Sequence, residues 1–245
     1  SEWTDGSNWD RGRVPVETDK ILIKSTGAFS PTLPTGTYLY NDIEIEKNSI
    51  LTLDGATLTV TNLLTNCGTL IFKSDETLIL KGNAFFTNGT VVAEASYIRI
   101  AGTSPQTLDF GDMSLGKVYI ENLGGPVSFT GHGFTAKSFT CSLETTSLIF
   151  EPGCLYDFKT CHINAQKDGT GITLASRQGG SQYFIKVYEM NHSFSRTYVS
   201  DCDASLGAKA YGGKTSINEG NNRNWDFSTD VAVWEGGDSG EPAAL

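Results

Sequence analysis

Leu51-Thr52-Leu53-Asp54-Gly55 is followed by Leu78-Ile79-Leu80-Lys81-Gly82, then by Ile98-Arg99-Ile100-Ala101-Gly102 and Val127-Ser128-Phe129-Thr130-Gly131. Each stretch alternates apolar and variable positions and ends on a glycine. Period two is the signature of a β-strand with one buried face, and the glycine marks the turn that closes it. Successive closing glycines lie 27, 20 and 29 residues apart. Between the four copies lie further strands of the same type, at residues 43–46, 57–60, 69–72, 90–93 and 117–121. Later strands are expected at 171–176, 182–188 and 197–201. No segment carries an i, i+3, i+4, i+7 stripe, so no long helix is expected.

Short strands at this spacing suit either a β-sandwich or a β-solenoid. The solenoid is favoured, because the strands repeat one apolar face with no long return connection. One coil cannot bury that face alone, whereas stacked coils make a continuous core. The expectation is an all-β, right-handed parallel β-helix spanning residues 1–227, followed by a strand and tail at 228–245.

Composition agrees. The 245 residues are 38% hydrophobic and 19% charged, with 27 Gly and only 2 Met. The net charge of −10 and the lack of any Lys/Arg run exclude a nucleic-acid-binding face. No run of 18 apolar residues is present to span a membrane. The opening at Ser1, without Met or leader, is read as a chain with a leader removed or a piece of a longer one. Five cysteines, Cys67, Cys141, Cys154, Cys161 and Cys202, contain no CxxC pair. Two disulfides with one free thiol, and five buried core thiols, both fit. Cys141 and Cys161, 20 residues apart, sit about one coil from each other.

The two ends are distinctive. All four tryptophans lie in Trp3-Thr4-Asp5-Gly6-Ser7-Asn8-Trp9 and in the stretch from Trp225 to Trp234. An open solenoid end exposes a sheet edge and a core, and bulky aromatics suit its cover. Aromatic end caps are therefore expected.

At this point the residues carry a resemblance. Gly102-Thr103-Ser104-Pro105-Gln106-Thr107-Leu108, then Leu115-Gly116-Lys117-Val118-Tyr119-Ile120-Glu121-Asn122, resembles the repetitive β-solenoid modules of large bacterial surface and adhesion proteins. The opening Trp3, Ser7-Asn8-Trp9, Gly12, Val14-Pro15, Asp19 is similar to theirs, as is the run Thr215 to Phe227 after Asp201-Cys202-Asp203-Ala204-Ser205. The resemblance covers nearly the whole chain. It implies a secreted module on a cell surface with no catalytic residues and no cofactor. The cysteines depart from the family's pattern. In such proteins a strand with Trp and Gly-Gly precedes the Trp…Asn-Trp opening. Here that strand, Val231-Ala232-Val233-Trp234-Glu235-Gly236-Gly237, lies near Leu245. The resemblance thus implies head-to-tail joining, either in a covalent array or through a strand given to the next copy. Trp3, Trp9, Val231, Val233, Trp234 and Leu245 are the expected interface. The expected function is a filament, surface-layer or adhesin-stalk module, with copies of itself and surface glycans as partners.

The rival class is a carbohydrate-binding or polysaccharide-cleaving β-helix, which needs convergent carboxylates and a basic residue. Asp201 and Asp203, with Lys209 and Lys214, are the best candidates. Read otherwise they are solvated turn residues. Ca²⁺ would find oxygens at Asp201, Asp203 and the turn from Glu219 to Asn222, although no EF-hand loop is present. His132, His162 and His192 have no metal-ligand spacing. Asn88 and Asn191 begin glycosylation sequons. Tyr38, Tyr40, Tyr97 and Tyr119 suit either a sugar-stacking ladder or cross-strand packing.

Overall fold

The computed structural model describes residues 2–25, 30–93, 96–167 and 170–228. It is a parallel β-solenoid of about nine turns, 53% strand and 1% helix. The expected Val231, Val233, Trp234 and Leu245 lie outside the described residues.

The strands run along three faces, visited in a fixed order. The first face carries residues 36–40 and 57–60, then Thr77–Leu80, Tyr97–Ile100, residues 117–120 and 138–141, Cys161–Asn164 and His192–Ser195. The second begins with Lys20–Ile23 and ends with Ile217–Gly220, a single ladder of ten parallel strands. The third holds Thr32–Leu33, Ile50–Leu53, Thr69–Phe72 and Thr90–Val92, and later Leu155–Phe158, Tyr183–Lys186 and Cys202–Asp203. The long strand Gly36–Ile45 turns a corner at its register shift between Tyr40 and Asp42, and so serves the first and second faces.

Stacking places like on like. Leu58, Leu78, Ile98, Val118 and Phe139 pair in register, each fully buried. Val60, Leu80, Ile100, Ile120 and Cys141 form the next column. Alternation therefore sends one apolar set inward on every coil and one polar set outward. In the middle coils the column widens to aromatics, with Phe139 and Phe158 stacked at 4.4 Å and Phe150 and Tyr183 at 4.6 Å. Two closing glycines of the repeat are required by geometry. A Cβ on Gly82 would lie 1.8 Å from the Asn62 carbonyl oxygen, and Gly131 has φ +75.

Inside the core a few polar side chains stitch coils together. Gln106 donates from Nε2 to the carbonyls of Leu80 and Gly82, at 3.1 and 2.6 Å. Its Oε1 accepts from the Gly102 amide at 3.0 Å and from Asn122 Nδ2 at 2.6 Å. All five cysteines are free thiols. Cys141 pairs in register with Ile163 and Cys161 with Phe139, so the 20-residue spacing does not bring the two opposite each other. They join the core as small apolar groups.

Candidate functional site: the N-terminal mouth

The N-terminal segment folds over the first coil and closes its core. Glu2 forms a parallel bridge to Thr32, which sets it one rung beyond the third face. Trp3 follows and is only 1% exposed. Its Nε1 donates to Tyr40 Oη at 2.8 Å, and Trp9 meets it edge-on at 4.7 Å. Trp9 Nε1 donates to the Trp3 carbonyl at 2.9 Å. Asp5 accepts from the Ser7 amide at 2.9 Å, starting the short 3-10 turn Gly6–Asn8. Trp3 is thus buried and Trp9 half-buried against it, each with its N–H satisfied. Burial raises the Tyr40 phenol above its ordinary range.

The loop that follows is fastened at Asp19. Arg13 grips this carboxylate in two bonds of 2.7 and 3.0 Å, Arg11 adds one of 3.0 Å, and the Val16 amide donates at 2.8 Å. The Arg13 hydrogen bond, first among these causes, holds the Asp19 carboxyl down at about 2.

Between this loop and the strand Lys20–Ile23 opens a cleft of about 520 Å³, lined among others by Trp9, Pro15, Leu22 and Pro31. Four cationic side chains border it, Arg11, Arg13, Lys20 and Lys24, against three acidic ones, Glu2, Asp10 and Asp19. That is one excess positive charge at the end of a chain carrying −10. Lys20–Ile23 pairs with residues 42–45, and no other described strand pairs with it. Its outer row of backbone N–H and C=O groups faces the cleft's side of the coil. Ile21 and Ile23 point inward and are buried, whereas Lys20, Leu22 and Lys24 point outward and are exposed. The far end of the same ladder is alike: among the described strands, Ile217–Gly220 pairs only with Thr197–Ser200, and all four of its residues are exposed.

Trp3 and Trp9 thus come together at this end. The sequence reading missed the cleft's cations and its open strand. Their signal was legible in the alternation of Lys20, Leu22 and Lys24 around two isoleucines. At the opposite end, Trp225 packs on Phe194 at 4.8 Å and on Phe227 at 5.6 Å.

The other candidates are scattered. Asp201 has φ +56 and accepts from the Gly180 amide and from Asn221 Nδ2 at 2.7 Å. Asp203 accepts from the Ser205 amide at 2.7 Å and faces Arg223 at 3.8 Å. Both aspartates are buried as turn-forming groups, while Lys209, Lys214 and Glu219 are exposed. Among the described residues no three His, Cys, Asp or Glu side chains converge on a metal-sized site. His132 meets Asp109 at 3.1 Å, His162 meets Ser193 Oγ at 2.8 Å and His192 meets the Tyr188 carbonyl at 2.8 Å. Asn88 and Asn191 are exposed. The tyrosine ladder divides. Tyr38 and Tyr40 share the inward register of Leu58 and Val60, and Tyr40 is buried under Trp3. Tyr97 and Tyr119 point outward and stack on each other at 6.2 Å, with Lys117 Nζ 4.4 Å over the Tyr97 ring. Their faces are engaged in cross-strand packing. One further cluster escaped the sequence reading: Asp157 accepts from Lys159, Lys186 and Tyr188 at 3.0 to 3.2 Å. Its members join because Asp157 and Lys186 pair across a 29-residue coil.

Among the described residues no helix is long and apolar enough to cross a membrane. The chain matches no known family, no curated protein and no solved structure in the comparisons made with each.

Proposed function

We propose that this chain is an extracellular structural module that joins copies of itself end to end, as the repeating unit of a filament, a surface layer or an adhesin stalk. One observation carries the reading. Among the described strands, the second-face ladder has open edges at both ends, Lys20–Ile23 and Ile217–Gly220. Open parallel edges are templates for further strands, and soluble proteins ordinarily blunt them. Here the first carries exposed Leu22 between Lys20 and Lys24 and the last carries exposed Ile217, with no proline in either. Two different edges meeting make a heterologous contact, which propagates as an open fibre unless its rotation closes a ring. The resemblance to bacterial surface modules supports the extracellular setting, and the acidic surface suits a soluble rod. Aromatic cover at the two ends fits the same role, because each copy must stay folded before it joins.

Native mass by light scattering and negative-stain microscopy test this. The expected result is a mass that rises with concentration above the 26.4 kDa monomer, with rods in the images. A strict monomer from micromolar to millimolar concentration overturns the reading.

A further inference from the structure

The described coils share one winding order. Every turn visits the first face, then the second, then the third, as in residues 57–60, 63–66 and 69–72. The final turn places Ile217–Gly220 on the second face, Arg223 beside Asp203 on the third and Trp225–Asp226 on the sheet that ends the first. The next position in this order is again the second face, beyond Ile217–Gly220. The segment that follows is Thr229-Asp230-Val231-Ala232-Val233-Trp234-Glu235, an alternating, β-branched run with the composition of a strand.

At the other end the order is interrupted in a complementary way. Glu2 stands on the third face one rung beyond Thr32, and Trp3 covers Tyr40 of the first. The second-face position on that rung, directly against Lys20–Ile23, is filled by no described strand. Resting on the end-to-end reading above, we propose that residues 231–234 of one copy occupy this position on the next, as a parallel strand between Ile217–Gly220 of their own chain and Lys20–Ile23 of the neighbour. The phase of the winding points the segment to the second-face ladder, each of whose terminal strands has a single partner among the described strands.

Side chains and charge agree with that occupant. With Val231 and Val233 facing inward they continue the column of Ile21 and Ile23. Ala232 and Trp234 then face outward, toward the cleft beside Leu22 and Pro15. Residues 229–245 contain four acidic side chains, Asp230, Glu235, Asp238 and Glu241, and no Lys or Arg. The cleft they would meet has one more cation than acid in its lining, with Arg11 and Arg13 bound to Asp19 and Lys20 to Glu44 at 3.1 Å. Backbone pairing supplies affinity in such strand addition, and the alternate side-chain pockets supply choice of partner.

The joint also predicts a length. Direct contact of the two edges gives ten second-face strands per copy, an axial repeat of about 48 Å. An interposed strand gives eleven, an axial repeat of about 53 Å. The test uses the full chain. Helical reconstruction of the assemblies should return the longer repeat. Zero-length carbodiimide cross-linking of a mixture of unlabelled and ¹⁵N-labelled chains should join Lys20 or Lys24 to Glu235 or Asp238 in mixed-label pairs. The full-length double variant Val231→Lys, Val233→Lys should weaken association about a hundredfold with unchanged circular dichroism and melting. Assemblies of the variant equal to wild type, with the shorter repeat, overturn the strand insertion and leave end-to-end joining intact. Cross-links confined to single-label pairs also overturn it, since the segment then folds back on its own chain. If the wild type never assembles, the end-to-end reading itself falls. Should the double variant lose its fold, the repeat and the cross-links of the wild type decide alone.

Discussion

Replacing Gln106 by leucine removes four hydrogen bonds without changing side-chain size much. Their partners differ in what remains to them. The Leu80 carbonyl still accepts from the Ala101 amide at 2.8 Å, and Asn122 Nδ2 still donates to the Ser104 carbonyl at 2.7 Å. Two groups lose the partner that Gln106 supplied: the Gly82 carbonyl, bonded at 2.6 Å, and the Gly102 amide, bonded at 3.0 Å. Gly102 is buried and Gly82 half-buried. An orphaned buried polar group costs about 1–3 kcal/mol, with the half-buried one at the low end because water reaches it. The sum is about 3 kcal/mol. For a chain of this size each kcal/mol shifts the midpoint about 2–4 °C, so Gln106→Leu should melt about 6–12 °C below wild type. Solenoids unfold in neighbouring blocks as well as globally, so a local probe is the sharper assay. Amide hydrogen exchange of Gly102 should accelerate strongly in the variant, while the amides of the Thr197–Ser200 strand keep their wild-type rates. If the Gly102 amide stays as protected as before and the midpoint moves less than about 2 °C, the stitching role of Gln106 is refuted.

Two further outcomes concern titratable groups. Asp19 is held at about 2, below its ordinary 3.8, chiefly by Arg13. A carboxyl lowered on folding stabilises above its unfolded value and loses that effect as pH falls through its folded value. Asp19→Asn should therefore melt lower than wild type above about pH 4, and the gap should close as the pH falls toward 2, measured as paired melting curves. Among the thiols, burial raises Cys141 and Cys202 to about 12 and lifts Cys161 well above its usual range. Since only the thiolate reacts, thiol titration at pH 8 should modify the half-buried Cys67 in the native chain, Cys154 more slowly because burial and then Glu151 raise its thiol too, and the remaining three only on unfolding. Rapid native labelling of Cys161 would contradict the packed core.

The strands were legible because burial and alternation are local properties. Leu51, Leu53, Leu78, Leu80, Ile98 and Ile100 all face the core, as their period of two requires. What pairs with what was not legible, since the loops between faces vary. Successive first-face strands are 20 residues apart from Thr77 through Tyr97 to Lys117, yet Cys161 pairs with His192, 31 residues on. A spacing of 20 therefore misplaced Cys141 against Cys161, and it hid the meeting of Asp157 with Lys186. Tyr38 and Tyr40 show a second limit. Their alternation with Tyr97 and Tyr119 looked alike in sequence, but the first pair sits on the terminal coil, where Trp3 turns the inward face into an end wall. Likewise Asp201 and Asp203 read as a carboxylate pair, although Asp203 accepts from the Ser205 amide of its own turn and Asp201 accepts from Gly180 and Asn221 of neighbouring coils. The N-terminal tryptophans were legible as partners because both lie within one short segment. The terminal places of Lys20–Ile23 and Ile217–Gly220 in the described ladder were not, because a strand's place in a ladder is set by its neighbours.

The sealing of the N-terminal core constrains how the joint can work. Trp3 is buried and hydrogen-bonded within its own copy, so separation of two copies uncovers no large apolar core at that end. An isolated copy can then stay folded, unlike a subunit whose core is shared across an obligate interface. The driving force left for joining is backbone pairing along one short strand on each side, a few apolar contacts at Leu22 and Ile217, and charge. Each such hydrogen bond contributes only about 0.5–1.5 kcal/mol net, because the open edge is already hydrated. Two bare edges meeting directly would form a joint close to the entropic cost of association. Adding a strand that pairs on both sides roughly doubles the hydrogen bonds and brings in two inward valines. Its attachment to one copy by a few residues also raises its local concentration at the joint. On the proposed end-to-end reading, a fold with a closed core and two terminal strands that each have one described partner gains a more durable joint from an extra strand, and residues 231–234 have the composition of one.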